Sequence, residues 1–277
     1  MRILSINTAQ SSTYVPSGGI TRSSFDHTST HFGVRRAFLF NRLYIVGYSY
    51  LLRQPRFAMQ VVDAESMVAP REAFDRLDNF REDMRVPDMF RSTLEDYQKS
   101  GFDRGHLINS ADRKGTKIIN SETFLMSNMA PQLPDLNRKI WLALEDAVRV
   151  LARKEEYHEV YTICGPLFNS ELDPTAKKKG QVEATAEKVD AQLTHIGENR
   201  VAVPRAFFKA VLAEKARPNS KKQLDMWCFE MPNQPAKLKA DKEAGKSLKD
   251  YLVPTSHTER RAGLQIWTSC AATRSIP

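Results

Sequence analysis

Between Asp103 and Glu145 the chain runs through a strand-like segment, a proline-bracketed break and a helix, and this order of elements constrains its fold most. Asp103-Arg104-Gly105-His106 supplies a proton acceptor together with a glycine that lets the backbone pass close to its neighbours. Downstream, Thr123 to Asn128 alternates like a strand. Pro131-Gln132-Leu133-Pro134-Asp135 then breaks the chain and starts a helix carrying Asn137, Trp141 and Glu145. At i, i+4 and i+8 these three form one row along a helix face. A histidine beside strands, opposite an amide oxygen and a carboxylate on a helix, suits a hydrated divalent ion working on a phosphodiester.

DRGH, then SNMAPQLPDLN from Ser127, then W-x-x-LE from Trp141, resembles the DNA/RNA non-specific endonuclease family, with its ββα-metal site, and within it the endonuclease G branch. SGFDRGHL from Ser100, ICGPLF from Ile163, VAVPRAFFK from Val201, YLVP from Tyr251 and ERRAGL from Glu259 extend the likeness across roughly residues 40 to 268. The resemblance implies an α+β fold, with a twisted, mainly antiparallel sheet core flanked by helices. It implies cleavage of DNA and RNA to 5′-phosphate and 3′-hydroxyl ends with Mg²⁺, or Mn²⁺ as its substitute. It also implies homodimers, although no residue here specifies an interface.

Roles follow residue by residue. His106 is the expected general base, since a neutral imidazole accepts a proton from water near neutrality. Asn137 is the expected direct ligand of Mg²⁺, and Glu145 the group that holds a metal-bound water. Arg104 is expected to face the phosphate through its forked donors, with Asp103 orienting Arg104 or the loop. Asn128 is expected to steady the site, and Arg81 to bind a further phosphate. Trp141 reads as core packing. Against these stand plainer readings: Asn137 as a helix cap, and Glu145 as an exposed carboxylate paired with Arg149. Ile108-Asn109-Ser110 and Asp112 depart from the family pattern, and Asp173 to Gln192 looks expanded. A nuclease restricted to single strands or ends, and a catalytically silent nucleic-acid binder on the same fold, are the alternatives.

Bulk properties agree. The 277 residues are 41% hydrophobic, enough for one sizeable core. The excess of 41 Lys and Arg over 33 Asp and Glu gives a net charge of +8, which suits a polyanionic partner. Cys164, Cys228 and Cys270 are too few and too scattered for a disulfide framework, which points to a reducing compartment. No apolar run approaches the ~20 residues that a membrane helix needs. Residues 1–35 read as a disordered tail with no secretory signal. Their composition overlaps with a mitochondrial leader, but Pro16, Gly18 and Gly19 interrupt any amphipathic helix. An intracellular, cytoplasmic protein is therefore expected, with the mitochondrion as the other choice.

Residues 36–277 read as one nuclease domain. Strands are expected at Leu43 to Leu52, Arg56 to Val62, Glu159 to Cys164, Arg200 to Val203, Phe207 to Glu214 and Gln223 to Met231. A charged excursion with short helical pieces fills 64 to 100. The best helix is Leu136 to about Arg153, capped by Asp135, with Ile140, Leu144, Ala147 and Leu151 as its buried stripe. The lysine runs near 177 and 237–249 read as solvated loops.

Overall fold

Alternate residues of one long strand face two different cores. A computed structural model of the chain describes residues 36–62, 74–168, 193–219, 222–234 and 248–266. The expected tail, the lysine run near 177 and most of 237–249 lie outside these residues. In β9 (Ala206–Asn219), Phe207, Val211 and Ala213 belong to one core while Phe208, Ala210 and Leu212 belong to another. Period-two alternation allows this only if the sheet is covered on both faces.

That sheet has six strands in the order β1-β2-β3-β6-β9-β10, all pairs antiparallel: β1 (Arg36–Phe40), β2 (Tyr44–Ser49), β3 (Gln54–Val62), β6 (Tyr157–Leu167), β9 and β10 (Lys222–Pro232). The expected α+β architecture is therefore the observed one. β1 extends the sheet beyond the expected strands. Arg53, at φ 54°, turns the chain from β2 into β3. The helix of the site and the hairpin β4 (Asp103–His106) with β5 (Met129–Gln132) accompany the first core. Helix α3 (Thr255–Ala262), ended by Gly263 at φ 61°, leads into Leu264 and Ile266 of the second. β7 (His195–Ile196) pairs antiparallel with β8 (Val201–Ala202), and Tyr97, Met126, Met129, Ile196 and Val201 form a third cluster.

Three local expectations change. Thr123 to Asn128 is not a strand, because Asn120 and Asn128 side chains take up the carbonyls of Ser110, Arg113, Ile108 and Thr123 there. These bonds hold a short helix, α1 (Lys117–Glu122), and a 3-10 turn at Met126–Asn128, and the strand comes after them. Pro131 sits inside β5, which a two-stranded hairpin tolerates at its edge. Asp135 does not cap the site helix: it already has helical backbone angles and pairs with Lys139 at 2.7 Å. Helix α2 (Leu142–Ala152) is preceded by a π-helical turn, Leu136–Trp141. The buried stripe is Leu136, Ile140, Trp141, Leu144 and Val148, while Ala147 faces solvent.

Candidate active site

The hairpin of β4 and β5 and the π-helical turn converge on a cleft of about 210 Å³. It is lined by Arg76, Arg104, His106, Asn109, Ser110, Asn137, Arg138, Leu142 and Glu145. Four of the sequence-predicted residues, Arg104, His106, Asn137 and Glu145, thus meet in one place.

Register explains the hairpin side. Asp103 pairs with Gln132, Arg104 with Pro131, Gly105 with Ala130 and His106 with Met129. A Cβ at Gly105 would run into the Gln132 side chain, so glycine lets β4 lie close against β5 here. Asn128 is fully buried and brackets Ile108, accepting from its N–H at 3.0 Å and donating to its carbonyl at 2.9 Å. It holds the turn that follows His106.

The π turn explains the helix side. In an ideal α-helix residues i and i+8 sit about 80° apart around the axis. A π turn bonds i to i+5 and advances each residue by less, which brings Asn137 and Glu145 closer to one line. Trp141 does not line the cleft. It is buried against Phe207, ring centroids 5.8 Å apart.

His106 is buried with Nε2 unpartnered, its ring edge-on to Phe80 at 5.5 Å and Phe124 at 5.1 Å. Burial, together with the charges of Arg76 and Arg104, depresses its pKa to about 3, so the imidazole is neutral. The Arg104 guanidinium stacks 4.2 Å from the Phe80 centroid, and that of Arg76 lies 5.3 Å from Phe124.

Glu145 is buried, not an exposed partner of Arg149. Arg149 instead donates to Asp112 at 2.8 Å and to Asp146. Glu145 Oε2 accepts from Asn109 Nδ2, while Oε1 has no hydrogen-bond donor and lies 3.7 Å from Lys209 Nζ. Burial pushes its pKa up to about 7 against the opposing charge of Lys209, with Asp112 adding to the rise.

Two expected contacts are replaced. Asp103 does not orient Arg104, which is engaged with Phe80. Its carboxylate accepts from Asn137 Nδ2 at 2.9 Å and from Arg138 Nε and Nη2 at 2.8 and 2.6 Å. Burial would raise the Asp103 pKa, but these donors and the charges of Arg138 and Arg104 outweigh it and hold the carboxyl low. Arg81 does not line the cleft, because its guanidinium donates to the carbonyl of Ser121 at 2.9 Å and its backbone bridges to Leu125. Arg76 lines it instead, beside Arg104 and Arg138. Asp112 is taken up by Arg149 and by Gln60 Nε2 at 2.9 Å and stays out of the cleft.

The donor set fits a hard, hydrated cation. Asn137 commits its amide nitrogen to Asp103, which leaves the oxygen for an ion, and the Glu145 carboxylate lines the same cleft. Among the described residues no three His, Cys, Asp or Glu groups converge as a closed cage. One amide ligand with open positions for water and phosphate is what these residues can build.

A family model described as DNA/RNA non-specific endonuclease matches residues 23–273. The chain is 38% identical over 188 residues to the mitochondrial endonuclease G of Homo sapiens, covering 67% of this chain and 55% of that protein. It is 35% identical over 229 residues to the mitochondrial nuclease 1 of Schizosaccharomyces pombe, covering 82% of this chain and 64% of the other. The chain thus spans less than two thirds of the length of these relatives. A solved structure, the complex of EndoG with EndoGI that describes EndoG inhibition, matches with a TM-score of 0.68 at 31% identity, covering 83% of this chain and 84% of that one.

Proposed function

The chain belongs to the DNA/RNA non-specific endonuclease family, and from that membership we propose that it is a Mg²⁺-dependent, sugar-non-specific endonuclease. It hydrolyses phosphodiester bonds of DNA and RNA to 5′-phosphate and 3′-hydroxyl ends, with Mn²⁺ able to replace Mg²⁺. The observation that carries this reading is the single cleft shared by a neutral buried histidine, three arginines, an amide ligand and a buried carboxylate.

His106 is the general base. With Nε2 sealed in the interior, Nδ1 is the nitrogen we assign to accept the proton of the attacking water. Its depressed pKa alone would make it a weak acceptor. A phosphodiester seated beside Arg76 and Arg104 offsets the two charges that help depress it, so substrate binding itself raises its basicity. Arg104 and Arg76 grip non-bridging oxygens through forked donors. Asn137 would hold the ion directly and Glu145 through a water, and the bound ion supplies charge stabilisation at the phosphoryl and leaving oxygens. Water as nucleophile needs no 2′-hydroxyl, which fits both substrates, and backbone contacts carry little sequence information.

The relatives' names place them in mitochondria, and we propose the mitochondrion for this chain in preference to the cytoplasm. A tagged full-length chain found only in the cytosol would reject that. The activity test is digestion of plasmid and RNA with Mg²⁺, with and without chelator, for wild type and His106→Ala. Chelator-sensitive cleavage of both, lost in His106→Ala at an unchanged melting temperature, is the expected result. Binding without cleavage by wild type rejects the reading.

A further inference from the structure

Asp103 opens β4 and reaches across the hairpin onto the first turn of the site helix. There one oxygen, Oδ2, accepts from two adjacent helix residues: Asn137 Nδ2 at 2.9 Å and Arg138 Nε at 2.8 Å. The second oxygen accepts from Arg138 Nη2 at 2.6 Å. Asp103 is only 17% exposed, whereas the Arg138 side chain is 68% exposed and still lines the cleft.

Two consequences follow from donor and acceptor chemistry. A carboxamide is nearly symmetric in shape, so what decides which end faces the cleft is its partner. An acceptor-only carboxylate takes the NH₂ and so turns the oxygen of Asn137 the other way. A carboxylate is also a better ligand for a hard cation than an amide, and Asp103 is the acid beside Asn137. The fork of Arg138 covers both of its oxygens.

We propose that Asp103 is a positioning residue that sets the amide orientation of Asn137, and that Arg138 is the latch that keeps Asp103 from becoming a metal ligand itself. This rests on the reading of Asn137 as ligand given above. The single helix residue after Asn137 then decides whether the ion is held by an amide or by a carboxylate.

The test is Mn²⁺ binding to the full chain without nucleic acid, followed by electron paramagnetic resonance, alongside melting curves. Asp103→Ala should weaken Mn²⁺ binding about tenfold or more, the loss typical of a group that orients a ligand. Asp103→Asn, whose carbonyl can still accept from Asn137, should lose less than about threefold. Asn137→Ala should bind poorly, and Asn137→Ala combined with Arg138→Ala should regain at least about fivefold as Asp103 is released to ligate. Should Asp103→Ala fail to fold, the comparison of Asn137→Ala with the double variant decides. Binding by Asp103→Ala equal to wild type, or a double variant no tighter than Asn137→Ala, overturns the proposal. A wild type that neither binds Mn²⁺ nor cuts fails the nuclease reading. A wild type that does both beside an unaffected Asp103→Ala fails only the positioning role.

Discussion

Lys209 Nζ lies 3.7 Å from Glu145 Oε1 and 4.6 Å from the centroid of the Trp141 ring, with the Lys209 and Glu145 side chains 3% and 4% exposed. β9 thereby delivers a buried cation to the back of the cleft. Its charge is the main influence opposing burial at Glu145, whose pKa stands at about 7. Glu145 must be ionised to hold a cation's water, so activity is present above its pKa and lost as pH falls through it. His106, neutral down to about pH 3, does not set that limb. Lys209→Met should shift the acid limb of kcat/KM to higher pH, costing activity at pH 7 and regaining it near pH 9. An unmoved limb in a folded variant would sever Lys209 from Glu145.

The same carboxylate links pH to folding. Its pKa is raised in the fold from 4.5 to about 7. The stabilisation it contributes is therefore complete below pH 4.5 and lost as pH rises towards 7. Between those limits the metal-free wild type should lose stability relative to Glu145→Gln by about 3 kcal/mol. Urea unfolding in chelator across that range measures the difference. Parallel pH dependences for the two proteins would contradict it.

Gly105 and Gln132 form a pair in which any side chain added at position 105 would have to displace the Gln132 side chain. The Cβ of an alanine there would run into Oε1, Cδ and Cγ of Gln132, and Gln132 is fully buried. Gly105→Ala should destabilise by about 1–3 kcal/mol, the usual range for overpacking. It should also reduce cleavage by displacing His106. Adding Gln132→Ser should recover part of both, a non-additivity that a double-mutant cycle reads directly. Strictly additive losses would mean that the strain lies elsewhere.

The DRGH segment, the helix with Asn137 and Glu145, and most sheet strands were legible because each depends on short-range pattern: alternation, proline breaks and helical spacing. What escaped depends on pairings far apart in sequence. Arg76 rather than Arg81 reaches the cleft because Arg81 is tied to Ser121. Asp103 serves Asn137 and Arg138 because hairpin register sets its reach. Lys209 stood in plain view within VAVPRAFFK, yet nothing in a strand's alternation distinguishes a buried lysine from an apolar neighbour. The π turn was invisible because a single wider turn leaves helical periodicity nearly unchanged. Asn109 looked like a departure from pattern, and its bond to Glu145 gives that departure a use.

The arginines separate by what they already hold. Arg76 and Arg104 line the cleft and lie over phenylalanine rings, which leaves their planar donors presentable to a phosphate. Arg81 spends its guanidinium on backbone carbonyls outside it. Each phosphate contact releases counterions, and losing one lowers the salt dependence of binding by about one unit of slope. With DNA binding measured in a His106→Ala background to prevent cleavage, Arg76→Ala and Arg104→Ala should each reduce the slope of log K against log salt by about 1. Arg81→Ala should leave the slope unchanged while lowering the melting temperature, because Arg81 braces the Ser121 turn and bridges to Leu125. The reverse pattern, a slope change in Arg81→Ala and none in Arg76→Ala, would put the phosphate path on the other side of Phe80.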